Sequence, residues 1–202
     1  MAHLPAVFSA AVEGPTDEAV LRRVVESHGA ALGVVYGKHG KDSLRKQLHH
    51  YNQAANFSPW IVLIDLDQDA DCAPAARAIW LAAPAPHMHF RIAVRAIESW
   101  LLADRQSLAA FLSISEAHIP ADPESLNNPK ETLVNLARRS RRRAIREEMP
   151  PRPGSGRPVG PAYTSRLIEY TQLHWRPEIA MNYADSLRRL CNRLAEFRTH
   201  AP

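Results

Sequence analysis

The sequence predicts an α/β fold: a mostly parallel four-stranded sheet flanked by helices, with a helical C-terminal extension. Three observations carry this. The run Trp60-Ile61-Val62-Leu63-Ile64 is uninterrupted, β-branched in part and ends abruptly in carboxylates, as a central parallel strand buried on both faces does. Short apolar runs alternate with helical patterns up to about residue 105. Beyond that point only helical periodicity recurs, interrupted by a Pro/Gly-rich stretch. The expected division is an α/β core over residues 1–115 and a helical extension over 116–202.

In chain order, Ala6 to Val12 reads as the first strand, and Glu13-Gly14-Pro15-Thr16-Asp17-Glu18 as a tight acidic turn. Thr16 is the expected N-cap, with Asp17 and Glu18 favourable in the first turn of a helix running to about Gly29. Glu13 belongs to neither strand nor cap; it reads as a solvated turn residue or as a functional acid at the sheet edge. A second strand is expected at Ala31–Tyr36 and a helix from about Asp42 to Ala55. The intervening Gly37-Lys38-His39-Gly40-Lys41 lacks the spacing and terminal hydroxyl of a phosphate loop, which excludes a nucleoside triphosphate site of that kind. Lys38 and Lys41 either approach a phosphodiester backbone or form a solvated basic turn.

After the central strand, a short helix is expected over Ala73–Leu81 and a fourth strand over His87–Val94. There Met88, Phe90, Ile92 and Val94 alternate with His87, His89, Arg91 and Ala93. His87 and His89 have the spacing of a ligand pair but no third ligand in register, and a half-exposed strand face is the competing account. The next helix, around Arg95–Asp104, packs Ile97, Leu101 and Leu108 and places Glu98 among apolar residues, where a carboxylate is expensive unless paired or metal-bound.

Residues 117–129 read as loop, and Lys130 to about Met149 as one helix with six arginines between Arg138 and Arg146. Leu133, Leu136, Ala137, Ser140, Ala144 and Ile145 face inward in that reading, leaving a basic face that includes Arg138, Arg139, Arg142, Arg143 and Arg146. Pro150–Pro161 is a flexible loop or linker. Helical periodicity resumes at Tyr163–Leu173, breaks near Pro177 and ends in a stripe of Leu187, Leu190, Cys191, Leu194 and Phe197 that must pack on the body or on another subunit.

The 202 residues suffice for one domain with an ordinary core. The net charge of +4 is concentrated: from Lys130 to Arg157 nine Lys or Arg stand against three acids, so the remainder is net acidic. The basic face suits phosphates, an acidic partner, or no specific ligand. Cys72 and Cys191 supply neither a thiolate metal site nor a disulfide framework and agree with a reducing compartment. Met1–Pro5 lacks a charged leader, and no stretch approaches the roughly 18 apolar residues of a membrane span, so a cytoplasmic location without a membrane partner is expected. Ser9, Ser58 and Ser99 are in no nucleophile elbow, which removes the usual signature of acyl-transfer chemistry.

The acidic run Asp65-Leu66-Asp67-Gln68-Asp69-Ala70-Asp71 reads as a metal site or as an acidic turn capping the next helix. With a period of two, Asp65 and Asp67 point the same way and repel unless a proton or cation intervenes. Together with Glu13, Asp69 and Glu98 they form an oxygen-donor set suited to Mg²⁺ or Mn²⁺ and to phosphoryl transfer.

Val12-Glu13-Gly14-Pro15-Thr16-Asp17 resembles the first motif of the Toprim superfamily, and Asp65-Leu66-Asp67-Gln68-Asp69 its DxD motif. The resemblance implies a Toprim-like, Rossmann-like fold over about residues 5–105, with Glu13 as general acid or base and Asp65 and Asp67 as magnesium ligands. The segments Ile97–Asp104 and Asn128-Pro129-Lys130 resemble a small Toprim-like branch encoded beside AAA- or SMC-type ATPases in bacterial defence loci, in which Glu98 joins the metal site. The long Pro-rich connector departs from the Toprim pattern, and the extra domains of primases and topoisomerases are lacking. The resemblance therefore implies a metal-dependent nuclease, with an ATPase partner, or a non-catalytic docking subunit of a defence complex.

Overall fold

The computed structural model describes residues 5–199; residues 1–4, on which the reading of the chain start rests, and residues 200–202 lie outside the described residues. Among the described residues four strands, β1 (Val7–Val12), β2 (Ala31–Gly37), β3 (Trp60–Asp65) and β4 (Met88–Ala93), form one all-parallel sheet in the order β2-β1-β3-β4. The helices between them are α1 (Pro15–Ser27), α2 (Lys41–Ala54) and α3 (Ala73–Trp80). The α/β class is as expected, and each of these strands and helices lies within two residues of its expected bounds.

β3 is buried at every position, with alternate residues serving opposite faces. Ile61 and Leu63 join Phe8, Ala10 and Val12 in the core beneath α1, whereas Trp60, Val62 and Ile64 pack with Leu44 and Leu48 of α2 and Ala76 of α3. That two-sided burial is why the run has no polar interruption.

α1 starts differently from expectation. Gly14, extended at φ −152°, is the N-cap, and Pro15 occupies the first turn without losing any bond, since its nitrogen has no proton to donate. Thr16 therefore lies inside the helix and caps nothing. Asp17, expected in the first turn as a favourable partner of the helix dipole, stands there and is buried.

The chain after β4 folds as α4 (Ile97–Ala103), α5 (Arg105–Leu112), α6 (Pro129–Arg138), α7 (Arg143–Glu148), α8 (Tyr163–Leu173), α9 (Pro177–Ala180) and α10 (Asp185–Thr199). Side chains from these helices enter the same apolar cluster as β1 and α1, including Trp100, Leu133, Tyr170, Trp175 and Leu187. The expected stripe on α10 packs on the body, covering β4: Phe197 lies 4.9 Å from Phe8, ring centre to ring centre, and 5.9 Å from the His89 ring. This burial corrects the half-exposed face expected of β4. His87 is exposed while His89 is buried, so the two do not form a ligand pair.

The expected single arginine helix is two. Ser140 breaks it: the buried hydroxyl donates to Leu112 O at 2.5 Å and accepts from Arg142 N at 3.0 Å, competing with helical bonding. Ala144, placed inward by a continuous helix, is exposed on α7. The Pro/Gly-rich stretch 150–161 is irregular, but its ends are tied, because Gly160 N donates to Met149 O at 2.7 Å and Ala162 N to Glu148 O at 3.1 Å. It is a closed loop rather than a tether. Val159 within it packs against the main core.

Candidate functional site

In a sheet of order 2-1-3-4 the crossovers leave β1 and β3 in opposite directions, which opens a crevice between their carboxyl ends. Glu13 follows β1 and Asp65 ends β3, so both stand at that crevice. Glu13 Oε1 accepts from Asp65 N at 2.7 Å, and Asp65 Oδ1 accepts from Ile97 N, at the start of α4, at 2.9 Å. One carboxylate thus ties β1 to β3, and the other ties β3 to α4.

A cavity of about 290 Å³ lies over this point, lined by Glu13, Asp17, Asp65, Glu98, Lys130 and Tyr163, with Pro158 and Val159 from the closed loop forming part of its wall. Three of the carboxylates are nearly inaccessible: Glu98 is 3% exposed, Asp17 7% and Asp65 8%. Tyr163 Oη donates to Glu98 Oε1 at 3.1 Å, and Lys130 Nζ stands 3.6 Å from the same oxygen. Asp17 Oδ1 and Glu98 Oε2 are buried and have no hydrogen-bond partner.

The charges respond to this crowding. Burial first, then Glu13 and Glu98, push the Asp17 carboxyl up to about 7. Asp65 is held well above the usual carboxylate range by burial and by Asp17, Glu98, Glu13 and Asp67. Glu13 is raised by burial, against the opposing hydrogen bond from Asp65 N and the charge of Lys41. Lys130 is raised chiefly by Glu98, and Tyr163 well above its ordinary value by burial and by Glu98. Such clustering of perturbed groups in a cleft makes it the candidate functional site.

The structure brings Glu13, Asp65 and Glu98 together and turns Asp67 and Asp69 elsewhere. β3 ends at Asp65, and Asp67 has φ 49°, so the strand alternation that would align it with Asp65 no longer applies. Lys41 Nζ reaches Asp67 Oδ2 and Asp69 Oδ2, both at 2.9 Å, and also donates to Leu66 O at 3.2 Å. Lys41 thus clamps the acidic turn. Lys38 pairs with Glu18 at 3.0 Å.

Asp17 was legible only as a helix-start charge, and nothing in its local sequence marks it as turned into the cavity. Tyr163 had no signal at all, since it comes from a helix 65 positions from its partner Glu98.

The arginines divide. Arg142 donates to Phe111 O and stands over the Phe111 ring, Arg146 donates to Ser140 O, Arg143 pairs with Glu147, and Arg139 contacts His118. Among the described residues Arg138 and Arg141 make no side-chain hydrogen bond or ion pair, and both are exposed.

Residues 12–174 match the model of a domain of unknown function, DUF4276. The chain belongs to this family. The DUF4276 region spans every residue named at the cavity and stops before α10. No curated protein and no solved structure matches the chain.

The donor set suits a hard divalent cation: it is all oxygen, anionic, and contains two buried oxygens without partners. Among the described residues no three His, Cys, Asp or Glu side chains already converge as a ligand group. Binding would therefore require side-chain rotation within the cavity.

Proposed function

We propose that the chain is a divalent-metal-dependent phosphodiesterase that hydrolyses nucleic acid. The observation that carries this reading is the shared cavity of Glu13, Asp17, Asp65 and Glu98, four carboxylates from three stretches of the chain, two of them with unpartnered buried oxygens. Asp17, Asp65 and Glu98 would hold the ion. Bound Mg²⁺ or Mn²⁺ supplies Lewis-acid polarisation of a phosphoryl oxygen and activation of water.

Glu13, its carboxyl raised by burial and standing at the cavity wall, is suited to take or return a proton at the reacting phosphate. Lys130, cationic beside Glu98, is placed to hold a phosphate oxygen at the cavity wall. Asp67 and Asp69 act through Lys41, holding the turn that carries Asp65. The exposed Arg138 and Arg141 suit contacts to more distant phosphates. An AAA- or SMC-type ATPase partner and a role in bacterial antiviral defence rest on the resemblance of the Ile97–Asp104 and Asn128-Pro129-Lys130 segments alone. No helix among the described residues is long and apolar enough to cross a membrane.

Cleavage of end-labelled DNA and RNA with Mn²⁺ tests the reading. Asp65→Asn and Glu13→Gln should each lower turnover by about two orders of magnitude or more; undiminished turnover in Asp65→Asn would sink the proposal. A second reading, a non-catalytic docking or regulatory subunit, is favoured by the internal cations that already serve these acids, Lys130 on Glu98 and Lys41 on Asp67 and Asp69. It expects no calorimetric heat with Mn²⁺ and co-purification of an ATPase.

A further inference from the structure

A second cleft, of about 510 Å³, lies between α3, the outer edge of β4 and the start of α10. It shares no lining residue with the carboxylate cavity. Its volume falls within the roughly 300–1,000 Å³ of small-molecule sites. Phe90, Ile92 and Pro74 give it apolar walls; Arg77, Arg91 and Arg189 bring positive charge to it, and Asp71, Glu124 and Asp185 negative charge.

The state of these arginines is what distinguishes the cleft. Among the described residues neither makes a side-chain hydrogen bond or ion pair, and Arg91 Nε is buried without a partner. Two of the three acids of the cleft, Asp185 and Glu124, are engaged by other groups than Arg77 and Arg91. Asp185 binds Arg188 and Arg189, while Glu124 accepts from Asp185 N, Ser186 N and Ser186 Oγ at the start of α10. Asp71 is exposed. Burial, with Arg77, Arg193 and Arg189 behind it, pushes the Arg91 guanidinium down to about 10, and Glu196 opposes this in part. An unpaired guanidinium in an apolar wall is costly without an anion to meet it. A planar fork of donors is also the geometry that reads a carboxylate or phosphate.

We infer that this cleft binds a small organic oxyanion, its charged head on Arg77 and Arg91 and its apolar body against Phe90, Ile92 and Pro74. The site stands apart from phosphodiester chemistry and needs no divalent ion. Titration calorimetry of the full chain in EDTA, with phenyl phosphate, benzoate and inorganic phosphate as probes, tests it.

At least one aryl probe should bind at concentrations below about 10 mM and more tightly than inorganic phosphate. Stronger binding of phenyl phosphate assigns the head as phosphate; stronger binding of benzoate assigns a carboxylate. Arg91→Met, which keeps the length and removes the unpaired charge, should weaken binding about tenfold or more while retaining the circular dichroism of the fold. Arg77→Gln, on an exposed helix position, should do the same and serves alone if Arg91→Met does not fold. Absence of binding by both aryl probes, affinities unchanged in the variants, or inorganic phosphate binding as tightly as phenyl phosphate would each overturn the inference.

Discussion

At the scale of single residues, Asp17 and His89 show how burial converts an ordinary group into one that opposes stability. The Asp17 carboxyl is desolvated and faces Glu13 and Glu98, with Lys130 offsetting only part of the repulsion. Asp17→Asn keeps the shape and removes the charge, so above neutral pH the metal-free protein should gain about 2 kcal/mol, or roughly 4–8 °C in Tm. The same variant should lose the stabilisation that Mn²⁺ confers, read as the Tm shift on adding the ion. A Tm below wild type without metal would show that Asp17 is held by interactions other than those described.

His89 gives the clearest dependence on pH. Buried between Phe8 and Phe197, and near Arg193, Arg91 and His87, it is pushed down to about 4 from an unfolded value of 6.5. The unfolded chain therefore takes up a proton that the folded chain refuses. The contribution is complete above pH 6.5 and is lost as pH falls toward 4, to a total on the order of 3 kcal/mol. His89→Phe removes the group, and urea midpoints measured across that window should fall less steeply than in the wild type.

At the scale of elements, the closed loop 150–161 matters because its last residues face the cavity. Gly160 is pinned: a Cβ there would lie 2.3 Å from Glu148 O and Pro150 O. Gly160→Ala should displace the loop and cost about 1–3 kcal/mol in denaturant unfolding. Gly154 and Gly156 have open space around them, so alanine at either meets only the strain of positive φ, at 74° and 65°. The ordering expected is therefore Gly160→Ala as the more damaging change. Equal losses at the three positions would mean that the loop is not held by its ends. The break at Ser140 belongs to the same scale. Periodicity alone ran one helix through it, because the competing hydroxyl bond goes to Leu112, 28 residues away.

For the whole molecule, charge polarity is the property that bears on partners. Of six arginines in one stretch, four are engaged by neighbouring groups, and among the described residues Arg138 and Arg141 have no hydrogen-bond or ion-pair partner. If nucleic acid is bound there, Arg138→Gln with Arg141→Gln should lower the slope of log affinity against log salt by about 2 without loss of stability, since each phosphate contact contributes about 0.9. Arg142→Gln and Arg146→Gln should instead lower stability, through the carbonyls of Phe111 and Ser140. An unchanged slope in the double variant would direct attention from this surface to another.

The amino-acid order by itself determined the α/β class, the strand positions and three members of the carboxylate cavity. Those features follow from local alternation, from β-branched runs that tolerate no polar residue, and from acids placed where strands end. It also marked Asp67 as a neighbour of Asp65, which holds along a strand and fails once the backbone turns left-handed. Only the tertiary structure decided that Asp17 turns inward, that Tyr163 and Lys130 reach Glu98, that the Pro-rich stretch supplies part of the cavity wall, and that Arg91 Nε is buried beside a cleft without a partner among the described residues. Each of these depends on a contact between distant parts of the chain. Desolvation and charge pairing are properties of such surroundings, and no reading of neighbouring residues contains them.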